Sequence, residues 1–129
     1  MKQPICSRLQ QDIYGAEIAL VVGCGVDELE KVLKDTWGYA CDCSDLSRSA
    51  QGYYIPIGPG SCIIWVEDKK DISTLMHELL HAALAILDNR GVCYDDERHE
   101  ALTYYHEFLF NWACEMIVKE SRRAIQKKR

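Results

Sequence analysis

The chain has 129 residues, 48% of them hydrophobic and 27% charged, which suits one compact domain with a modest core and leaves no room for a second. Its net charge of −5 is unevenly divided: residues 119–129 hold six bases and one acid, residues 1–118 nine bases and nineteen acids. The acidic body argues against broad duplex binding, no apolar run approaches the roughly 20 residues that span a bilayer, and only the basic tail offers a contact for nucleic acid or another anion.

Met1 to Asp12 is polar and mixed, and reads as a short helix or a loose lead-in. Ala16 to Gly23 is rich in β-branched residues and reads as a central strand. Leu29, Val32 and Leu33 give a helix from Val26 to Thr36, closed by Gly38. Tyr39 to Ser44 suits a short strand and Asp45 to Gly52 a loop. Gly52 to Pro56 and Ser61 to Glu67 read as two strands of a hairpin, joined by the turn residues Ile57-Gly58-Pro59-Gly60. Asp71 can cap a helix starting at Ile72. Its apolar positions (Leu75, Met76, Leu79, Leu80, Ala83, Leu84, Leu87) cover more than one face, so this helix should be largely buried. Asn89-Arg90-Gly91 ends it. A second long helix starts at Asp95 or Asp96 and keeps its period through Leu102, Tyr105, Leu109, Trp112 and Met116 to about Ser121. The fold class is therefore α+β: a small mixed sheet packed against two helices, with residues 1–121 as one domain and 122–129 as a basic tail.

The first long helix carries His77-Glu78-Leu79-Leu80-His81, an H-E-x-x-H pattern. Residues four apart share a helical face, so His77 and His81 can hold one metal ion between two imidazoles. Glu78 projects beside that face, where it can take a proton from metal-bound water. A catalytic zinc takes a third protein ligand. Leu84 and Leu87 occupy the positions where an extended motif has a glycine and a third histidine. Asp88 lies about 10 Å along the helix from His81, too far to share its ion. A glutamate on the second helix remains: Glu100, with Glu97 one turn earlier as the alternative. His99 and His106 share a face of that helix. Cys41-x-Cys43 with Cys24 or Cys62 offers a structural zinc site, but the spacing is tighter than usual, and small buried thiols are the plainer reading. Gly23-Cys24-Gly25 lacks the Lys-Ser/Thr of a phosphate loop. The seven cysteines are odd in number and follow no apolar leader, so reduced thiols and a cytoplasmic setting are expected.

HELLH (77–81) followed by a glutamate on the next helix resembles the gluzincin branch of the zincin metallopeptidases. The stretch HELLHAALAILDNRGV with the later RHEALTYYHEFL is similar to small zincin-like proteins encoded by phages and prophages. The resemblance covers about Ile63 to Trp112. It implies a minimal zincin-like fold in which His77, His81 and Glu100 hold Zn2+. The activity implied is zinc-dependent hydrolysis of peptide or amide bonds with Glu78 as general base, in the cytoplasm of a bacterial host. Tyr104, Tyr105 and His106 would then be candidate contacts for substrate or transition state. A strand such as Ile63 to Val66 would lie at the sheet edge, where an extended peptide pairs with it. Tyr104 stands where larger gluzincins keep an aspartate, which favours metal binding over ordinary peptidase activity. The alternative is a non-catalytic zincin-like metal-binding protein that acts through protein or nucleic-acid contacts.

Overall fold

The computed structural model describes residues 3–10, 12–95 and 99–127, with the Lys127 side chain left aside. Along the chain run β1 (Ile5–Gln10), β2 (Glu17–Val22), α1 (Val26–Trp37), β3 (Gly52–Gly58), β4 (Ser61–Val66), α2 (Ile72–Asn89) and α3 (Glu100–Lys127). The strands form one sheet in the order β1-β2-β4-β3. β1 and β2 are antiparallel, β2 and β4 parallel, and β3 and β4 an antiparallel hairpin. The two inner strands have the most continuous apolar sequences, EIALVV and SCIIWV, because both of their faces are covered.

Alternation along β2 and β4 builds two cores. Ile18, Leu20, Val22, Cys62, Ile64 and Val66 face α2 and α3, meeting Leu75, Leu79, Ala83, Leu87, Tyr105 and Leu109. Ala19, Val21, Ile63 and Trp65 face the other way, meeting Leu29 and Leu33 of α1 and Cys43 of the loop that follows it.

Local chemistry fixes the element ends. Gly38 stands at φ 73°, and its N–H and that of Tyr39 close α1 on the carbonyls of Lys34 (2.9 Å) and Leu33 (3.3 Å). Asp71 caps α2 by accepting the Thr74 N–H at 3.1 Å. The Thr74 hydroxyl also donates to it, and these two bonds hold its carboxyl below the usual range. Asp12 organises the β1–β2 turn by accepting the N–H groups of Tyr14 (2.9 Å) and Ala16 (3.0 Å). Arg90, just past α2, ties that turn down through the carbonyls of Tyr14 (2.7 Å) and Gly15 (3.3 Å).

Several expectations need correction. Ile5–Gln10 is an edge strand: Ile5 and Leu9 pack on the α2/α3 core and Cys6 on the α1 core, while Arg8 and Gln10 stay exposed. Tyr39 to Ser44 forms no strand. Asp95 is not helical, Asp96 lies outside the described residues, and α3 runs on past Ser121 to Lys127, through part of the expected tail. β4 is an inner strand between β2 and β3, so Ile63 to Val66 has no free edge for a peptide. The architecture is a four-stranded sheet with helices, an α+β fold. Its zincin-like designation is overturned, because among the described residues no group of three or more His, Cys, Asp or Glu side chains could hold a metal ion.

Candidate functional site

The helical repeat of α2 brings His77 and His81 together, as the spacing requires. Their Nε2 atoms are 3.2 Å apart, so one ring donates a hydrogen bond to the other. The rings meet edge to face, with centroids 4.9 Å apart and planes at 81°. Tyr54 of β3 continues the row by stacking on His81 at 6.1 Å and 28°. Both histidines are exposed.

Glu78 turns inward and is only 8% exposed. It lies where β3 crosses the start of α2 at close range. A Cβ on Gly52 would stand 2.5 Å from Thr74 Cγ2, 2.8 Å from the Trp65 carbonyl oxygen and 3.5 Å from Glu78 Cγ. Only glycine permits that approach.

α3 supplies the other wall. The His106 Nε2–H donates to the Met76 carbonyl at 3.0 Å. Around α2, the exposed side chains therefore run from Met76 and Leu80 near α3 to His77 and His81 near β3. Glu100 and Tyr104 are exposed on the first turns of α3. Tyr105 points the opposite way. It is 2% exposed, and its hydroxyl donates to Asp12 Oδ2 at 2.6 Å. Burial, and then that bond to a carboxylate, raise its pKa well above the ordinary phenol value.

The metal reading fails on this arrangement. Two imidazoles bonded to each other are not joined by a third ligand: Glu100 completes no group of three with them among the described residues. Glu97, the alternative, lies outside the described residues. Bound Zn2+, a zinc metallopeptidase activity and the zinc-dependent hydrolysis of peptide or amide bonds are therefore withdrawn, and the non-catalytic metal-binding alternative gains no support. The cysteine site fails on the same ground. All seven thiols are free, and Cys41 and Cys43 come within 4.0 Å without a third partner. Burial pushes Cys24 up to about 11 and Cys43 and Cys62 up to about 12, which disfavours the thiolate that a metal or an electrophile would need.

Sequence reasoning missed the free flank of β3. The Glu67 N–H donates to the Gln51 carbonyl at 2.9 Å, which makes that cross-strand pair a hydrogen-bonded one. Alternation then gives the next bonded pairs to Tyr53–Trp65 and Ile55–Ile63. Gly52, Tyr54 and Pro56 consequently direct their backbone groups away from β4, towards an edge that no other strand among the described residues pairs with. Pro56 was the available signal, since a proline inside a strand marks an edge.

No helix among the described residues is long and apolar enough to cross a membrane. No protein-family model, curated protein or solved structure matches the chain. With no such match and no metal-binding group among the described residues, the zincin resemblance and the phage setting expected with it are withdrawn.

Proposed function

We propose that the chain is a peptide-binding domain that takes an extended segment of a partner protein along the open flank of β3. The observation that carries this reading is the outward backbone of Gly52 and Tyr54 beside an exposed floor on α2. Strand addition needs an unpaired row of donors and acceptors with side-chain contacts next to it. The β3 edge supplies the row. Met76, His77, Leu80 and His81 supply the floor, and Met76 and Leu80 are 45% and 37% exposed, unusual for large apolar side chains of a helix that otherwise faces a core. In this reading His77 and His81 are side-chain contacts of the peptide, Glu78 supports the strand crossing from beneath, and Tyr104, His106 and Glu100 line the α3 side. Tyr105 holds the wall in place through Asp12. Seven unpaired cysteines suit a compartment that keeps thiols reduced, and we place the chain in the cytoplasm on that ground.

The test separates backbone from side chain. Binders are selected from a random-peptide library on the immobilised chain, and their contacts are mapped by amide shifts. Shifts should concentrate at Gly52, Tyr54 and the outer face of α2. Tyr54→Val keeps the outward N–H and should retain most of the affinity. Tyr54→Pro removes that donor without touching the β4 ladder and should lose roughly tenfold, the worth of about one backbone hydrogen bond. Equal affinity in the two variants, or binders that map to another surface, would sink the proposal.

A further inference from the structure

The C-terminal part of α3 leaves the core: Cys114, Met116 and Ile117 still pack at its margin, and no later described residue of the helix joins either core cluster. Over 28 residues α3 extends about 42 Å. Its buried residues, Tyr105, Leu109 and Ala113, all lie in the first half. Beyond Ala113 the helix keeps apolar side chains in the open: Val118 is 49% exposed and Ile125 59%. Helical segments this short are marginal in water unless an apolar face is packed.

That face has a pattern. Cys114, Val118, Ser121 and Ile125 are spaced four, three and four apart, the a/d spacing of a coiled-coil seam. At 100° per residue, the centre of this seam lies well over 90° around the helix from Tyr105, Leu109 and Ala113, and of its four residues Cys114 alone still touches the margin of the body's core. One flank of the seam carries Glu115 and Arg122, seven residues apart and both exposed, with no partner among the described residues. The other flank carries Ile117, half-buried at the core's margin, and the exposed Ala124. Such a strip is complementary to itself when turned end for end. About a two-fold axis between Lys119 and Glu120, Val118 meets Ser121 of the other copy and Cys114 meets Ile125. Each Glu115 then stands beside an Arg122, and each apolar flank faces its own kind.

We infer that the chain associates with a second copy of itself through an antiparallel pairing of α3 centred near residues 119 and 120. The interface is isologous, so each charge pair is made twice. It is also small, and the association is a concentration-dependent monomer–dimer equilibrium rather than an obligate dimer. This inference is independent of the peptide site, which lies on β3 and the outer face of α2.

Sedimentation equilibrium on the full chain, at low salt and over a wide range of loading concentrations, tests it. The wild type should fit a monomer–dimer model. Val118→Glu should remain monomeric throughout. Glu115→Arg and Arg122→Glu each turn two attractive pairs into repulsive ones and should each weaken the dimer roughly tenfold. The double variant Glu115→Arg/Arg122→Glu restores opposite charges and should recover most of the loss. All these positions are at the surface, so circular dichroism and Tm should stay near wild type, and Ile125→Lys provides a second seam variant. A wild type that stays monomeric, single charge variants that dimerise normally, or a double variant that fails to recover would overturn the inference. So would a monomer whose α3 engages duplex DNA instead of a second copy.

Discussion

Tyr53 and Tyr54 are neighbours on one edge strand and face opposite layers of the molecule. Tyr53 stacks on the buried Trp65 at 6.2 Å and 19°, and its hydroxyl accepts the Ser47 N–H at 3.0 Å. Tyr54 stacks on the exposed His81. The α1 face is sealed: the Trp65 indole N–H donates to the Cys24 carbonyl at 2.9 Å, and the loop after α1 closes over it. The α2/α3 face has a core just as deeply buried, but α2 also presents a second, exposed side next to the sheet edge. One layer only supports the sheet; the other supports it and offers a surface.

Substitutions in the two layers should separate these roles. Trp65→Ala removes the largest fully buried side chain and should cost about 3–5 kcal/mol in denaturant unfolding. Leu79→Ala, on the core side of α2, should cost about 2–5 kcal/mol. Both should destabilise, but only Leu79→Ala should alter the amide environment of His77 and His81 in the variant that still folds. Either change costing less than Ile→Val changes usually do would undo the assignment of that residue to its core.

Gly52→Ala attacks the junction of the layers. Its methyl would clash with Thr74 Cγ2 and with the Trp65 carbonyl, and should cost about 1–3 kcal/mol as overpacking. Trimming Thr74 to Ser should return only part of this, because the carbonyl contact at 2.8 Å remains. Full recovery in the double variant would show that α2, not β4, sets the distance. Tyr105→Phe should cost less, about 1–1.5 kcal/mol, since Asp12 keeps two backbone donors after losing the phenol. A neutral Tyr105→Phe would mean that water replaces the bond.

What could be read from the sequence follows from this division. The spans of α1 and α2, the inner strand β2 and the pairing of His77 with His81 rest on short-range periodicity, which the chain states directly. β1 was missed because an edge strand needs few apolar residues, and beside Ser7, Arg8 and Gln10 only Ile5, Cys6 and Leu9 are left to signal it. Sheet order is set by which strands pair, and the apolar run of β4 suits the inner place it takes, whereas the edge expected for Ile63 to Val66 came from the zincin resemblance alone. The motif misled for a similar reason. Spacing along one helix fixes two rings, whereas a third ligand depends on where another helix starts, and Glu100 begins α3 outside any group of three.

The buried thiols are divided between the two layers. Cys24 and Cys43 lie in the α1 core and Cys62 in the α2/α3 core, and burial raises all three. A raised pKa means that the folded state holds its proton after the unfolded chain has lost it. The stabilisation is fully present below the unfolded value of 9.0 and is lost as pH climbs through the folded value, about 12 for Cys62. Unfolding free energy should therefore fall with pH across that window. Cys62→Ala removes one of the protons involved, so its stability should fall less steeply there, whatever the small cavity costs at neutral pH. The slope is the quantity to compare, measured by urea unfolding at a series of alkaline pH values with reductant present. Parallel slopes for variant and wild type would mean that the Cys62 thiol ionises as readily in the folded core as in the open chain.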